Sequence, residues 1–378
     1  MHPDHAGALL RDILVENDVK RVLLVTGKRS FQLSGAAERV LPILNDLTHF
    51  SHFDDVPKNP DTEAVEAAAR RCGSPRPDLI IAVGGGSAID LAKALSVRLS
   101  AELPAAQCLE FDAWGHLELV PIMALPTTTG TGSEATQFAV VYHDNRKYSL
   151  SSPKLLPQHV LLVPSFTQAQ PLSVRASAGF DALTQAIESY WSGHGTVESD
   201  RAALKAIELA APCLKKGLHD FNDDIASKMQ EASNLAGRAI NQTRTTAPHA
   251  LSYALTTDYG VDHGHAVGLM LPKVWRLHQR LHLSAKLPET LLERMQHVSV
   301  LLEKDVWEVP SALESMLTQN QLPYTFQSLG LERAEDWLTL CGRVNLERLR
   351  NHPVDLTKED IEGLWTREIP HAEIADNP

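Results

Sequence analysis

Four side chains that can bind a transition metal occur in three segments of the sequence, two of them helical-looking and the third an apolar stretch just after a turn. His249 and His263 lie fourteen residues apart, and Asp181 and Gln185 lie four apart. A neutral imidazole is the commonest protein ligand for such a metal, and residues four apart project from one face of a helix. The spacing suggests one divalent metal site. The alternatives are core or surface histidines, an Asp that serves as an N-terminal helix charge, and a Gln that only hydrogen-bonds.

A run of glycines follows a strongly apolar stretch in the first half of the chain. Residues 78–83 read DLIIAV, typical of a buried strand, and lead directly into Gly84-Gly85-Gly86-Ser87 at the start of a helical segment. Glycine lets the backbone approach an anion closely, and a helix N-terminus offers free N–H groups with a favourable dipole. The pattern favours a cradle for a dinucleotide pyrophosphate over a plain strand–helix turn, although it is not GxGxxG.

Two further turns follow apolar runs. Residues 126–133 read PTTTGTGS, whose hydroxyls and bare amides could bind phosphate or ribose; the alternative is a solvated, capped turn. Residues 27–30 read GKRS, with two bases and no acid, which favours NADP(H) because an acid there commonly selects NAD. A solvated basic turn explains GKRS equally well. The predicted cofactor-binding residues of the three turns are Gly27, Lys28, Gly84, Gly85, Gly86, Ser87, Thr127, Thr128, Thr131 and Ser133.

The order of the predicted elements indicates two different halves. Strand-like runs alternate with helical segments through the first half, and residues 139–150 read as a hairpin. This spacing predicts a doubly wound, Rossmann-like parallel sheet, with ligands beyond the carboxyl ends of its strands. Long helical segments follow from about Pro171. We predict an α/β dinucleotide-binding domain over residues 1–168 and an all-helical metal- and substrate-binding domain over residues 169–378.

The composition argues against several classes of partner. The 378 residues are 43% apolar and 22% charged, as in ordinary globular proteins, and the formal net charge is −12. Such a charge disfavours nucleic acid or an anionic membrane as the main partner, but a locally positive pocket could still bind a small anion. No apolar run approaches the length of a membrane span, and no signal peptide is apparent. The four cysteines show no paired spacing. We therefore expect reduced thiols and a cytoplasmic protein.

Four ordered motifs resemble the iron-containing (group III) alcohol dehydrogenases. They are GGGSAIDLAKAL, PTTTGTGSEAT, GFDALTQAIE and the HA…HG run of residues 248–272, and they are collinear over nearly the whole chain. The resemblance implies a Rossmann-like N-terminal domain, a helical C-terminal domain, bound NAD(P)(H), and one divalent metal, Fe²⁺ or Zn²⁺, in the cleft between the domains. Dimers are common in the family, so a homodimer is also expected.

The resemblance also assigns the metal site. The family's ligand Asp falls on Asp181, and its last two ligand histidines fall on His249 and His263. Its second ligand, normally a histidine, falls on Gln185, which implies a weaker and more easily stripped site. Another family histidine, near the substrate, falls on Tyr253.

The reaction implied by the resemblance is reduction of an aldehyde. The metal would act as a Lewis acid on the carbonyl oxygen, and NAD(P)H would deliver hydride. Lys147 matches a family lysine near the cofactor, and Asp90 is expected to help hold that cofactor. The proton for the alkoxide could come from Tyr253, from His265 or from water on the metal, and the sequence leaves all three open.

The substrate expected from this resemblance is a small anionic aldehyde. The segments GFDALTQAIESYWS, TRTTAPHALSYALT and HGHAVGL are similar to a subgroup of the family that reduces a phosphonate-bearing aldehyde. A phosphonate dianion needs charge-assisted donors, and Arg244 and Thr245 precede the run that carries His249, with Ser252 and Tyr253 beyond it. A solvated surface arginine is the alternative for Arg244. Rival functions are a general short-chain alcohol dehydrogenase, a dehydroquinate-synthase-like lyase, and a binding protein with a relict site.

Overall fold

The computed structural model describes residues 3–366, apart from 145, 326, 332–339, 341 and 345–348. The chain divides into two compact units: unit 1 comprises Met1–Gln170 and Phe221–Gly237, and unit 2 comprises Pro171–Asp220 and Arg238–Pro378. The predicted division after residue 168 lies close to the first boundary. The linear division does not foresee that residues 221–237 group with unit 1. Three of the four cysteines (Cys72, Cys108 and Cys213) are free thiols, and Cys341 lies outside the described residues.

Strands occur only in the first half of the described chain, whereas helices occur throughout it. The strands are β1 (Arg21–Thr26), β2 (His49–Phe53), β3 (Leu79–Gly84), β4 (Ile122–Pro126), β5 (Phe138–His143), β6 (Arg146–Ser151) and β7 (His159–Val160). The α-helices are α1 (Pro3–Glu16), α2 (Ser30–Leu33), α3 (Ala36–Leu47), α4 (Thr62–Cys72), α5 (Gly86–Ala101), α6 (Leu172–Trp191), α7 (Val197–Lys216), α8 (Asp223–Thr243), α9 (Ala247–Tyr259), α10 (His263–Leu283), α11 (Glu289–Leu301), α12 (Val309–Gln319) and α13 (Lys358–Thr366).

Unit 1 is built on a five-stranded parallel sheet with the order β2-β1-β3-β4-β7, and β5 and β6 form a separate antiparallel hairpin. Both faces of the sheet are covered, which explains its continuous apolar strands. In β1, Val22 and Leu24 join a buried cluster with α1 and α3, whereas Leu23 and Val25 join a second cluster with α4 and α5. The predicted doubly wound α/β fold and its hairpin are confirmed.

The strand order creates a switch point between β1 and β3. The chain passes from β1 to β2 on one side and then returns to β3 on the other side of β1. The turns that follow β1 and β3 therefore flank the position where open α/β sheets bind their ligands. These are the GKRS and GGGS turns that the sequence analysis identifies.

Residues 221–237 group with unit 1 because the first part of α8 packs on the turn after β4. A Cβ added at Gly132, which has a φ of +58°, would lie 2.6 Å from Gly237 Cα. Such a close backbone approach requires glycine at both positions. Asn234 Nδ2 on the same helix donates to Glu134 Oε1 at 3.1 Å. The PTTTGTGS turn is thereby held against α8.

Unit 2 is helical throughout its described residues, as predicted. Its central helix, α6, is buried along most of its length and packs on α7 and α10, and α10 also packs on α9 and α12. A helix that is covered on several sides can be apolar almost all round, which leaves its few buried polar residues conspicuous. In the part of the chain that the structure describes, no helix combines the length and the apolar character that crossing a membrane requires.

Candidate metal centre and coenzyme-binding turns

Three potential metal ligands converge in unit 2. Asp181 on α6, His249 on α9 and His263 at the start of α10 each offer one ligand atom, and these atoms lie within 4.8 Å of one another. His249 Nε2 is 3.3 Å from Asp181 Oδ1. Metal–ligand bonds of about 2.1 Å place neighbouring donor atoms roughly 3 to 4 Å apart, so one carboxylate and two imidazoles fit a divalent transition metal.

Other predicted polar residues hydrogen-bond within this cluster. Gln185 lies one turn after Asp181 and is buried, and its Nε2 donates to Asp181 Oδ1 at 3.0 Å. Gln185 therefore helps to orient the Asp181 carboxylate. A rotation of the Gln185 amide group by 180° would direct Oε1 towards a metal instead of Nε2. The hydroxyl of Ser252 donates to the carbonyl oxygen of His249 at 2.9 Å. Coordination by Gln185 and substrate contact by Ser252 stay predictions.

Two glycines explain why His263 lies beside Asp181. A Cβ added at Gly264 would overlap the carbonyl oxygen of Ser177 and would lie 2.9 Å from Asp181 Cβ. One turn later, a Cβ added at Gly268 would lie 3.0 Å from the side chain of Phe180. Since neither position carries a side chain, α10 can lie directly against α6.

A buried carboxylate that the sequence analysis missed, Glu188, holds His249. Glu188 on α6 is fully buried, and its Oε2 contacts His249 Nδ1. Its Oε1 accepts hydrogen bonds from Thr246 N at 2.9 Å, Thr246 Oγ1 at 3.0 Å and His249 N at 3.2 Å, and it thereby caps the N-terminus of α9. Glu188 follows Asp181 by seven residues, two turns along the same helix face, and that spacing was the available signal.

The electrostatics of the cluster favour a cation. Burial would raise the pKa of Asp181, but the hydrogen bond from His249 and the charges of His263 and His249 together lower this pKa below its ordinary value. Burial would lower the pKa of His249, but the charge of Glu188 and the contact with Asp181 outweigh it and raise this pKa to about 9. Two buried carboxylates around one imidazole provide the negative charge that a divalent cation would neutralise.

The two candidate proton donors have different surroundings. The ring of Tyr253 lies parallel to the ring of His263, with centroids 6.4 Å apart. His265 Nε2 lies 2.6 Å from the carbonyl oxygen of Pro323, and the backbone N–H of His265 donates to Ser177 Oγ at 3.1 Å. Burial lowers the pKa of His265. The neutral ring of His265 therefore serves as a donor to the Pro323 carbonyl, whereas Tyr253 lies beside His263, one of the three potential metal ligands.

The turn before α9 carries Arg244 and Thr245, both predicted to bind substrate. Arg244 is exposed and has a φ of +62°, a left-handed conformation that costs a non-glycine residue about 1 kcal/mol. Asn351 Nδ2 donates to the carbonyl oxygens of Thr243 at 2.7 Å and Thr245 at 2.8 Å, one on each side of Arg244. Asn351 thus holds the turn in shape, and nothing in the sequence points to it, because it lies more than a hundred residues away.

In unit 1, the turns after β3 and β4 lie side by side. Gly84 pairs with Pro126, and Thr127 N donates to the Gly84 carbonyl oxygen at 2.9 Å. Gly85 is the N-cap of α5 and has no side chain to occupy the helix N-terminus. Ala88 N donates to the Gly85 carbonyl oxygen at 3.0 Å, so the backbone N–H groups of Gly86 and Ser87 are the ones that the cradle prediction offers to an anion.

Threonines of the second turn pack on glycines of the first. A Cβ added at Gly85 would lie 2.9 Å from Thr128 Cγ2, and one added at Gly86 would lie 2.8 Å from Thr131 Cγ2. Their close packing leaves no space for side chains at these glycines. Contact of Gly85, Gly86, Thr128 and Thr131 with a dinucleotide stays a prediction.

Lys93 is a second residue that the sequence analysis missed. It is fully buried on α5, and its Nζ donates to the carbonyl oxygens of Ser133 at 2.7 Å, Thr136 at 2.7 Å and Phe138 at 2.6 Å. A lysine three residues after Asp90 in the otherwise apolar run AIDLAKAL was the available signal. Lys93 fixes the backbone that follows the PTTTGTGS turn.

The remaining predicted cofactor residues on this side of unit 1 contact the protein itself. Asp90 Oδ1 accepts from Ser133 Oγ at 2.6 Å, and Asp90 Oδ2 accepts from Val140 N at 3.0 Å. Burial raises the pKa of Asp90, and nearby positive charge, including that of Lys147 on β6, opposes the rise. Ser87 Oγ contacts a backbone carbonyl, that of residue 58. Roles for these residues at the cofactor stay predictions.

The turn after β1 has an acidic neighbour. Lys28 Nζ lies 3.7 Å from Asp55 Oδ1, and both side chains are exposed. Asp55 follows β2, which pairs with β1, so the acid comes from the adjacent strand. Directly after β1, where Gly27 and Lys28 stand, the sequence contains no acid. The structure therefore weakens the argument for NADP(H) over NAD(H).

Comparison with known proteins tests the expected family directly. Residues 4–164 match the family described as iron-containing alcohol dehydrogenase, and residues 175–369 match its C-terminal counterpart. The chain belongs to the iron-containing alcohol dehydrogenase family. The resemblance stated from the motifs is confirmed. The prediction of an oxidoreductase is confirmed with it, and so is the prediction of a metal and a nicotinamide coenzyme as cofactors.

Members of the iron-containing alcohol dehydrogenase family with quite different names are similar to this chain. Phosphonoacetaldehyde reductase of Streptomyces viridochromogenes is 36% identical over 249 residues, which are 64% of this chain and 62% of that protein. Long-chain-alcohol dehydrogenase 1 of Geobacillus thermodenitrificans is 29% identical over 92% of this chain and 89% of its own. The crystal structure of sulfoacetaldehyde reductase from Bifidobacterium kashiwanohense, in complex with NAD⁺, is 28% identical and covers 98% of this chain and 95% of its own, with a TM-score of 0.85.

Proposed function

We propose that the protein reduces phosphonoacetaldehyde to 2-hydroxyethylphosphonate, with NAD(P)H as reductant and a divalent metal as cofactor. The observation that carries this proposal is the double contact of Glu188, which touches the ring of His249 and also Thr246. His249 belongs to the ligand cluster, and Thr246 ends the turn that carries Arg244. The Glu188 carboxylate thus holds both a potential ligand of a metal that would bind the carbonyl oxygen and the end of the turn that would bind the anionic group.

The names of two relatives support an aldehyde with an acidic group as the substrate. Phosphonoacetaldehyde and sulfoacetaldehyde are both two-carbon aldehydes with a tetrahedral anionic group. The phosphonoacetaldehyde reductase is 36% identical in its aligned part and the sulfoacetaldehyde reductase is 28% identical. We therefore place the phosphonate ahead of the sulfonate.

The proposed metal ligands are Asp181, His249 and His263, with Gln185 as a fourth ligand or as support for Asp181. When bound there, the metal supplies Lewis acidity towards the aldehyde oxygen. Asp181 and His249 are almost inaccessible to solvent, so water is largely excluded from their side of the cluster. Exclusion of water strengthens the electrostatic interactions of the reacting carbonyl group.

The residues of the neighbouring turn and helix have complementary roles in the proposal. Arg244 and Thr245 bind the acid group through charge-assisted hydrogen bonds, and the left-handed backbone at Arg244 presents this turn ahead of α9. Tyr253 donates the proton to the product oxygen, because its ring lies against His263. His265 is the weaker candidate because its Nε2 is engaged by Pro323. The glycine-rich turns of unit 1 bind NAD(P)H, which supplies the hydride.

The proposal is tested by following the loss of NAD(P)H absorbance with phosphonoacetaldehyde, sulfoacetaldehyde and propanal, before and after metal removal. We expect kcat/KM for phosphonoacetaldehyde to exceed that for propanal by about 30-fold, because a hydrogen-bonded charge is worth roughly 2 kcal/mol. Chelation should abolish turnover, and Fe²⁺ or Zn²⁺ should restore it.

Two arginines on the same stretch of chain provide the matched variants. Arg244→Gln should remove the preference for the acid-bearing aldehyde, whereas Arg238→Gln should keep it. Arg238 is exposed, and its ion pair with Glu198, at 3.9 Å, is a weak one at the surface. Equal or better turnover of propanal by the wild type would identify a general short-chain alcohol dehydrogenase. No oxidation of NAD(P)H with any aldehyde would refute an aldehyde reductase.

A further inference from the structure

We infer that Glu188 determines which ring nitrogen of His249 carries the proton and, through that choice, the metal affinity of the cluster. The inference rests on the proposed metal site and does not depend on which aldehyde the protein reduces. Glu188 is a positioning residue in this account: it contacts a ligand from behind and has no contact with the metal.

The two oxygens of Glu188 have separate partners. Oε1 accepts from Thr246 N, Thr246 Oγ1 and His249 N, at distances of 2.9 to 3.2 Å. Oε2 contacts the Nδ1 atom of His249. Two of the three donors to Oε1 are backbone N–H groups, which cannot become acceptors. The carboxylate is therefore oriented by the N-terminus of α9.

The direction of the Thr246 hydroxyl is fixed as well. Trp191 Nε1 donates to Thr246 Oγ1 at 2.8 Å, and an indole nitrogen can only donate. Thr246 Oγ1 therefore uses a lone pair for Trp191 and directs its own proton to Glu188 Oε1. All three groups around Oε1 are donors, so only an acceptor atom can occupy this position.

The orientation of Glu188 decides the tautomer of His249. A carboxylate accepts hydrogen bonds, so the Nδ1 atom that faces Oε2 carries the proton. Nε2 lies 3.3 Å from Asp181 Oδ1 and shares a proton with that carboxylate in the metal-free protein. When a metal replaces this proton, Nδ1 keeps its own, and the lone pair of Nε2 is directed at the metal. Metal-binding histidines commonly donate their second N–H to a carboxylate in this way, which fixes the ring and raises its basicity.

Replacement of Glu188 by glutamine should reverse this arrangement. Glutamine has the same shape, but one of its terminal atoms is an NH₂ donor. That donor cannot take the Oε1 position, since the backbone N–H groups of Thr246 and His249 already point there. It must face His249 Nδ1, which then has to accept, and the ring proton moves to Nε2, the nitrogen that faces the metal position.

The test measures metal binding without any substrate. Metal-stripped wild type, Glu188→Gln, Asp181→Ala and Glu314→Gln are titrated with Zn²⁺ and with Co²⁺ by calorimetry, and circular dichroism checks that each variant is folded. We expect Glu188→Gln to bind about 10- to 100-fold more weakly than wild type, the usual cost of losing such a partner. Glu314→Gln is the matched control, because it makes the same substitution in unit 2 at a carboxylate that pairs with Arg276 at 2.8 Å.

A second measurement reports the tautomer and requires no variant. In Zn²⁺-loaded wild type, ¹⁵N NMR of the histidine rings should show Nδ1 of His249 protonated. A proton on Nε2, or Nδ1 as the metal-bound atom, overturns the inference even if Glu188→Gln fails to fold. The spectrum of folded Glu188→Gln should show the opposite tautomer in the metal-free protein.

The outcomes separate this inference from the function proposed above. If Asp181→Ala loses metal and Glu188→Gln binds as tightly as Glu314→Gln, the metal site stands and the role of Glu188 is wrong. If Asp181→Ala binds metal like wild type, the site itself is wrong and the inference fails with it. Absence of aldehyde reduction would refute the proposed function and leave the binding result as it is.

Discussion

At the residue scale, the least expected feature is an ammonium group without access to solvent. Burial lowers the pKa of Lys93 to about 8, and the charges of Asp90 and Glu134 oppose this effect. The side chain is therefore still mainly protonated at neutral pH. An ammonium has three N–H donors, and three backbone carbonyls accept from Nζ at 2.6 to 2.7 Å. The segment after the PTTTGTGS turn is organised around this one charge.

Lys93→Met should lower the free energy of unfolding by about 3 kcal/mol, because it leaves three carbonyl oxygens without their donor and removes the charge that lies closest along α5 to the buried Asp90. NAD(P)H should also bind more weakly. Lys154→Met is the control: its Nζ donates to the Gly115 and Leu117 carbonyls at 2.9 and 2.8 Å on the exposed surface, and its loss should cost less than about 1 kcal/mol. Urea unfolding and coenzyme titration check both variants, and equal effects would contradict the role of Lys93.

At the scale of elements, the convergence of the three potential metal ligands depends on the contact between α6 and α10. Gly264→Ala should place a methyl group against the Ser177 carbonyl and Asp181 Cβ, and the two helices would have to separate. We expect a loss of about 2 kcal/mol in the free energy of unfolding and at least about tenfold weaker Zn²⁺ binding. Gly193→Ala is the control, because a Cβ added there meets nothing within 4 Å. Unchanged Zn²⁺ affinity in Gly264→Ala would mean that this contact does not position His263.

A second element, the turn before α9, depends on a residue from far along the chain. Asn351→Ala should release the carbonyls on both sides of Arg244, and the left-handed backbone there should relax. We expect KM for phosphonoacetaldehyde to rise about tenfold, with KM for propanal nearly unchanged, because only the anion needs the turn.

Asn17→Ala serves as the control for Asn351→Ala. Asn17 Nδ2 also donates to a backbone carbonyl, that of Ile13 at 2.8 Å, but it does so in unit 1. A rise in KM for both aldehydes in Asn351→Ala would indicate a general structural defect and would count against recognition of the anion by this turn.

At the scale of the whole molecule, acid stability should depend on two buried histidines of unit 2. His278 Nε2 and His352 Nε2 are 2.9 Å apart, and the ring of Trp191 lies edge-on to His278 with centroids 4.9 Å apart. Burial lowers the pKa of His278 to about 3, and burial together with His278 lowers that of His352 well below its ordinary value. Both rings are therefore neutral in the folded protein at any moderate pH.

The sign of the pH dependence follows from these lowered pKa values. Below about pH 6.5 the unfolded chain takes up protons on both histidines and the folded chain does not, so the free energy of unfolding falls as the pH falls. For His278 the loss should reach about 1.4 kcal/mol per pH unit, from about pH 6.5 towards pH 3, and the lowered pKa of His352 adds a loss of the same sign.

Urea unfolding at a series of pH values tests this effect. The double variant His278→Gln, His352→Gln should show a flatter acid limb than wild type, whereas substitution of the exposed His219 by glutamine should leave the limb unchanged. Identical acid limbs in the double variant and wild type would mean that the buried pair titrates normally.

Much of the architecture could be predicted because it depends on local pattern. The apolar runs of β1 and β3 end at glycines, and both strands are buried on two faces, as their composition indicates. The four-residue spacing of Asp181 and Gln185 predicted a shared helix face, and the two residues are hydrogen-bonded at 3.0 Å. The types and spacing of Asp181 and the two histidines suggested one metal site, the family resemblance assigned the same residues, and their convergence is present in the structure.

Long-range contacts account for what was missed. Glu188 and Lys93 lie in segments whose apolar neighbours concealed them, and their importance comes from partners 40 to 61 residues away. Asn351 is 108 residues from Thr243. A hydrogen bond of this kind leaves no periodic trace in the sequence, because periodicity reports only which face of an element is buried.

The amino-acid sequence alone determined the class of sheet, the helical second half and the kinds of side chain available to a metal, since each follows from local periodicity or from the chemistry of individual residues. Only the tertiary structure decided which nitrogen of His249 faces Asp181, how the turn at Arg244 is held, and that part of α8 groups with unit 1. These features depend on which distant groups meet at hydrogen-bonding distance, and that is decided by how helices pack rather than by how each one forms.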